Sequence, residues 1–230
     1  GASPDLFAKV AVKTRNHAIV NPFALFKNPL TVDEVLGAPT LYMDYLTRLM
    51  CCPPTCGAGA AIVCSQDFAK RHNISGGVEI IGQAMATDTA ETWDDPIKLI
   101  GADMTRRAAE SACEKAGIGV DEVDVVELHD CFTTNEVVTY EGLGLCAEGE
   151  ATAFVDAGDN TYGGKFVVNP SGGLMSKGHP IGATGLAQCY ELVNQLRGTA
   201  DQRQVPNAKV GLQHNLGLGG AAVVTMYRSV

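Results

Sequence analysis

The sequence is poor in aromatic residues and has no long apolar run. Phe, Tyr and Trp make up 6% of its 230 residues, with a single Trp. The longest apolar runs, such as Ala221–Val224, are far too short to span a bilayer. Positive charge is also in deficit: 17 Lys and Arg stand against 26 Asp and Glu, for a formal net charge of -9 and a pI near 5.0. Such a surface offers no general attraction for nucleic acid or an anionic membrane. A polyanionic ligand would have to be held locally, by backbone N–H groups at Gly-rich turns and helix starts. No charged segment followed by an apolar export stretch opens the chain, which points to an intracellular protein. The eight cysteines lack the dense, regular spacing of a secreted disulfide scaffold, so reduced thiols are expected, in cytosol or a peroxisome-like compartment. Cys51, Cys52 and Cys56 cluster, but Pro53 and Pro54 intervene and no second ligand pair follows at finger-like spacing. No metal is assigned to them, and free thiols are expected.

What is present is enough apolar material, 46% of residues, to build a real core. From residue 1 to about Leu49, Pro22, Pro29 and Pro39 punctuate short apolar pieces, which reads as loops and short helices. Ala58–Cys64 then reads as a buried strand feeding a short helix to His72, and Val78–Ala84 as the next strand. Asp94, Asp95 and Pro96 mark a helix start, and Ile97, Ile100, Met104, Ala108, Ala112 and Ala116 recur at helical spacing until Gly117. The small residues on that face permit close approach to a sheet. Val123–Leu128 reads as a strand ending at His129-Asp130-Cys131-Phe132, just before Thr133 and Glu136, a capping-box pair. Lys165–Val168 supplies another strand. A Gly-rich loop follows over residues 169–185, then a helix with Leu186, Cys189, Tyr190, Val193 and Leu196 on its apolar face, ending at Gly198. Lys209–Gln213 and Ala221–Tyr227 read as two strands around Gly217, Gly219 and Gly220. Alternating strands and helices argue an α/β fold.

Polar or Gly-rich segments interrupt this pattern at residues 129–132, 172–185 and 214–220, each at the edge of a regular element where a rigid scaffold can carry a site. A lone His at a strand end is more often structural than catalytic, and a Gly-rich loop is usually a turn. Taken together, in order and spacing, the segments resemble three catalytic loops of the thiolases. Gly178-His179-Pro180, within NPSGGLMSKGHPIGATG, resembles the thiolase Gly-His-Pro loop. HDCF at residues 129–132 resembles the variant carried by the sterol carrier protein X thiolases where others have Asn-Glu-Ala-Phe. HNLGLGG at residues 214–220 resembles the segment where ordinary thiolases have Cys-x-Gly, with Asn215 in place of the cysteine.

The resemblance implies a thiolase fold: a mixed five-stranded sheet layered with helices. Residues 1–76 would be a loop segment and the end of the N-terminal thiolase domain, and residues 77–230 the C-terminal domain. It implies thiolysis of 3-oxoacyl-coenzyme A in fatty acid or sterol side-chain β-oxidation, with coenzyme A as co-substrate and no permanently bound cofactor. By carry-over, His179 would activate the nucleophilic thiol and donate to one oxyanion. His129 would complete that oxyanion hole. Cys131 would be the acid/base that replaces the thiol missing at Asn215, with its pKa lowered by the helix start at Thr133. The Gly217 N–H would serve the second oxyanion, and Ser171, Gly172 and Gly173 would line the pantetheine channel. The alternative for Cys131 is a buried packing residue, as Cys113 and Cys189 are expected to be. No cysteine fits the family's nucleophile, which lies in the N-terminal half, and Cys56 matches a structural strand position. The chain is therefore expected to be a fragment. The full-length enzyme would be a homodimer formed through that N-terminal region, peroxisomal if eukaryotic and cytoplasmic if bacterial. Two rivals remain: a thiolase-like retro-aldolase of steroid side chains, and a non-catalytic acyl-coenzyme A or lipid-binding module.

Overall fold

The computed structural model describes residues 2–217 and 220–230, so Gly219 of the last motif lies outside the described residues. In chain order the elements are α1 (Pro4–Ala18), α2 (Val32–Leu36), a hairpin of β1 (Thr40–Tyr42) and β2 (Leu46–Thr47), α3 (Gln66–Arg71) and β3 (Val78–Thr87). Next come α4 (Pro96–Leu99), α5 (Ala102–Ala116), β4 (Val125–Glu127), α6 (Thr133–Leu143), α7 (Ala151–Asp156) and β5 (Val167–Val168). The chain closes with α8 (Thr184–Arg197), β6 (Val210–Gly217) and β7 (Ala221–Ser229). The main sheet has five strands in the order β3-β7-β6-β4-β5. It is mixed: β4 runs parallel to β5 and β6, while β7 is antiparallel to β3 and β6. The expected α/β fold, a five-stranded mixed sheet with helices against it, is the fold observed.

One face of the sheet buries Ala84, Ala86, Val126, Leu212, Val224 and Met226 against Met104, Ala108 and Ala112 of α5 and Tyr140 of α6. The other face packs Val125 and Tyr227 against Leu192 and Leu196 of α8. Gly82 is what lets α5 lie this close, because a Cβ there would meet the Ala112 carbonyl oxygen at 2.3 Å.

Several local expectations are corrected. The N-terminal stretch holds a 15-residue helix, α1. Its buried residues Leu6, Val10, Ala11 and Ala18 recur at helical spacing, but Lys13, Thr14, Arg15 and His17 are buried among them and blur the apolar stripe. Ala58–Cys64 is not a strand; it is exposed and irregular, and among the described residues no strand pairs with it. Cys56 is likewise exposed and outside any strand. The helix expected from Pro96 breaks at Gly101 (φ 99°) into α4 and α5, leaving Ile97 and Ile100 exposed. On α8 the buried face is largely polar, with Gln188, Glu191 and Gln195 beside Leu192 and Leu196, while Leu186 and Tyr190 face outward. Glu191 there meets Arg203 in a buried ion pair at 3.0 Å.

Thr133 and Glu136 form no capping box. Phe132 is the N-cap of α6, and Glu136 is instead wholly buried, paired with Lys13 of α1 and accepting from Tyr140 Oη at 2.5 Å. Burial outcompetes the local cap because the Glu136 side chain turns inward to meet Lys13 in the core.

Two stability measurements follow. Gly82→Val should lower unfolding free energy by about 1–3 kcal/mol in urea denaturation, since the added atoms force α5 off the sheet. Lys13→Met, which strands Glu136 in the core, should cost about 3–5 kcal/mol, and Lys13→Met with Glu136→Gln much less.

Candidate active site

Sheet register builds the site. Glu127 of β4 is in register with Gln213 of β6, so continuing each chain by two residues brings His129 to Asn215. Their side chains meet, with His129 Nδ1 donating to Asn215 Oδ1 at 2.7 Å. The preceding residue holds the backbone: the His129 N–H points to His214 Nδ1 at 3.5 Å, and His214 Nε2 donates to Thr105 Oγ1 at 3.0 Å. Consecutive residues of β6 thus hold the main chain and the ring of His129.

His179 arrives from the other side. Residues Gly173–Lys177 form a single π-type turn, and Gly178 (φ 121°) redirects the chain so that His179 stands before α8. A Cβ at Gly178 would lie 3.2 Å from the Thr55 side chain. His179 Nδ1 bonds Thr184 Oγ1 at 2.7 Å, and Thr184 in turn donates to the Pro180 carbonyl at 3.3 Å. The rings of His129 and His179 meet edge to face, with centroids 4.9 Å apart and planes at 90°.

A strap of residues 51–56 ties the two loops together. Cys51 bridges Phe132 in antiparallel fashion, Pro54 bridges His179 in parallel fashion, and Cys52 N donates to the Cys131 carbonyl at 2.9 Å. A shallow pocket of about 400 Å³ opens beside this strap, between residues 55–59 and 180–183.

The electrostatics are those of a neutral, partly dry site. Burial, with His179 alongside, lowers His129 to about 4 against the bond to Asn215. Burial, then the charge of Lys177, lowers His179 as well. His129 Nδ1 donates to Asn215 Oδ1, which can only accept, so a neutral His129 keeps a lone pair on Nε2. Thr184 Oγ1 can donate to His179 Nδ1 or accept from it, and where it donates a neutral His179 carries its proton on Nε2, as a hydrogen-bond donor.

Cys131 is corrected more sharply. A helix start was expected to lower its pKa; burial, then Cys52 and Asp130, raise it to about 12. One orphan turn of N–H groups is a weaker effect than removing a thiolate from water beside a carboxyl group. Such a thiol is a proton donor at neutral pH and a poor nucleophile.

Ser171, Gly172 and Gly173 are buried and do not line an open channel. Ser171 donates twice to Glu127, at 3.0 Å from N and 2.8 Å from Oγ. A Cβ at Gly172 would meet Ala18 of α1 at 2.5 Å, and one at Gly173 would meet Asp130 Oδ2 at 2.1 Å. These residues support the site from beneath. Helix α1 and the turn after it complete that support, through Arg15 Nε to Ser176 Oγ at 3.1 Å and Asn21 Nδ2 to the Ser171 carbonyl at 2.7 Å. Gly217 closes β6 opposite Ala221, on the exposed end of the strand. Cys113 and Cys189 pack at the edges of the two core clusters.

Sequence reading missed Thr184, Asp130, His214, Cys52 and the whole of α1. Asp130 and His214 lie inside the motifs, and Thr184 follows the Gly-His-Pro loop by one helical turn, so proximity was the available signal. Nothing local marked Cys52 or α1.

Comparison with known proteins agrees with the fold. A family model described as thiolase C-terminal domain-like matches residues 82–227, and the chain belongs to that family. More particularly, it is 56% identical over 231 residues to sterol carrier protein 2 of Rattus norvegicus, covering 99% of this chain and 42% of that protein. It is 38% identical over 228 residues to an acetyl-CoA acetyltransferase of Methanothermobacter thermautotrophicus, covering 99% of this chain and 59% of that protein. Among solved structures, the Ltp2-ChsH2(DUF35) aldolase shares the fold, with a TM-score of 0.80 at 22% identity over 98% of this chain and 59% of that one. The chain thus spans less than half the length of the rat protein.

The buried imidazoles give a pH signature. His214 lies at about 3, through burial and then His129, whereas an unfolded His titrates near 6.5. Between those values the unfolded chain binds more protons, so stability present above pH 6.5 is lost as pH falls. Unfolding free energies from urea denaturation at pH 7 and pH 5 should differ more for the wild type than for His214→Gln, by up to about 2 kcal/mol.

Proposed function

We propose that this chain binds the thioester head of an acyl-coenzyme A and forms the proton-transfer half of a thiolase-type site. The observation that carries the reading is the His129–His179 pair, edge to face at 4.9 Å with Cys131 two residues from His129. A thioester carbonyl placed against the two Nε2 atoms would accept a hydrogen bond from the Nε2–H of His179, and from His129 once that ring had taken up a proton. Similarity to sterol carrier protein 2 and to an acetyl-CoA acetyltransferase supports a coenzyme A thioester as ligand.

Thiolysis of a 3-oxoacyl-coenzyme A, giving a shortened acyl-coenzyme A with acetyl- or propionyl-coenzyme A, is the reaction we assign to a longer protein containing this chain. No cysteine of this chain fits the family's nucleophile, so we assign the attacking thiol to another part of that protein; Cys131, which burial holds protonated, is a poor nucleophile. Cys131 then suits the other half of the chemistry, giving a proton to the departing enolate carbon and retaking it from coenzyme A. Retro-aldol cleavage is the second reading; the resemblance to an aldolase is one of fold alone, and that chemistry leaves Cys131 without a task.

Calorimetry with a 3-oxoacyl-coenzyme A should show binding that His179→Ala weakens by about tenfold, the scale of one lost hydrogen bond in a desolvated site. Equal binding by the variant, or none by the wild type, overturns the reading. With the longer protein, consumption of coenzyme A in step with cleavage separates thiolysis from retro-aldol chemistry.

A further inference from the structure

Beside Cys131, the acid of the proposed chemistry, stands a second thiol, Cys52, that no step of that chemistry uses. The antiparallel bridge Cys51↔Phe132 fixes the register, so the next pair inward is Cys52 opposite Cys131, joined by the 2.9 Å bond from Cys52 N to the Cys131 carbonyl. Cys131 lies at the bend that leads into α6, directly across from Cys52. A hydrogen-bonded opposed pair sets its Cβ atoms toward the wide end of about 4.5–5.5 Å, roughly an ångström beyond the 3.5–4.5 Å or so that a disulfide spans. The strap can make up the difference. It is held by isolated bridges instead of a ladder, and the chain beyond it, residues 56–68, is exposed.

Both thiols are free and half-buried, open to a small oxidant without facing bulk solvent. They lie close enough that charge on Cys52 opposes ionisation of Cys131. Cys51 is turned elsewhere, its Sγ donating to the Thr47 carbonyl at 3.5 Å.

We propose that Cys52 and Cys131 are an oxidative modification site, closed to a disulfide by hydroperoxides. One sulfur, as thiolate, attacks a peroxide oxygen and becomes a sulfenic acid while the O–O bond breaks and water or an alcohol leaves. The partner thiol attacks that sulfur, the S–O bond breaks, and a second water departs with its proton. Two thiols are oxidised and one peroxide is reduced. Burial keeps both thiols protonated, at about 11 for Cys52 and about 12 for Cys131, so the reaction is slow and answers sustained, not transient, peroxide. Resting on the proposed function, the consequence is that the proton-donating S–H is removed while a mixed or over-oxidised product at Cys131 is prevented.

The test treats the chain with hydrogen peroxide, blocks remaining thiols and maps peptides without reductant. The expected product links the peptide of Cys52 to that of Cys131, is reversed by dithiothreitol, forms in Cys51→Ser and is absent from Cys52→Ser, whose Cys131 proceeds to sulfinic acid. A cross-link through Cys51, or sulfinic acid at Cys131 of the wild type with no cross-link, overturns the proposal. Turnover is read separately in the longer protein: loss on peroxide treatment, restored by reductant in the wild type but not in Cys52→Ser. A disulfide in a protein that never turns over would sink the functional reading and leave the dithiol standing.

Discussion

The site depends on the pairing of β4 with β6. These parallel strands set Glu127 against Gln213, and two residues further on the same alignment sets His129 against Asn215. A slip of one residue would turn every side chain of a strand to the opposite face, and would exchange Asn215 for His214 at the ring of His129. Both neighbours of His129 on β6 are thus spoken for: His214 holds its backbone from within the core, and Asn215 holds its ring from the cavity. The parallel arrangement matters as well, because it brings the C-terminal ends of two strands together at one edge of the sheet, where loops can converge.

Beneath that edge lies a buried polar layer that links the loops to one another. Glu127 holds Ser171 and faces Lys177 at 3.6 Å; Asp130 accepts from Leu174 N at 2.7 Å; Glu136 is paired with Lys13. Among the described residues Asp130 has no basic partner within bonding reach, and burial, then Glu136, push its carboxyl well above the usual range. A neutral Asp130 fits between Glu127 and Glu136 where a third carboxylate would not. The layer explains why Gly172 and Gly173 are glycines: α1 and Asp130 approach too closely for a Cβ at either position. What reads as a channel lining in the sequence is therefore the underside of the catalytic loops. Its cost in desolvation is offset by fixed geometry, which a pair of imidazoles needs more than it needs additional stability.

The dryness of the site decides the chemical roles. His129 neutral with a free Nε2, and Cys131 held protonated, are the complement of what an exposed site would offer. A base that is neutral at working pH and an acid that keeps its proton can exchange one proton without a free charge standing in the cavity beforehand.

The sequence by itself marked the five strands of the main sheet, the helices that end at Gly117 and Gly198 and the one that starts at Thr133, and the segments 129–132, 172–185 and 214–220 as candidates for one site. These are read from short-range signals: apolar runs, Gly caps, and motifs whose order survives any packing. Tertiary structure alone decided the helix at residues 4–18, the break at Gly101, the exposure of Ala58–Cys64, the burial of Ser171, the partner of Glu136 and the high pKa of Cys131. Each of those turns on what lies across space. A helix that buries Lys13 and Arg15 beside Leu6 and Val10 carries a mixed face, whose polar members are explained only once Glu136 and Ser176 are known to meet them. A helix start favours a low thiol pKa, but at Cys131 burial, with Cys52 and Asp130 opposing ionisation, outweighs it.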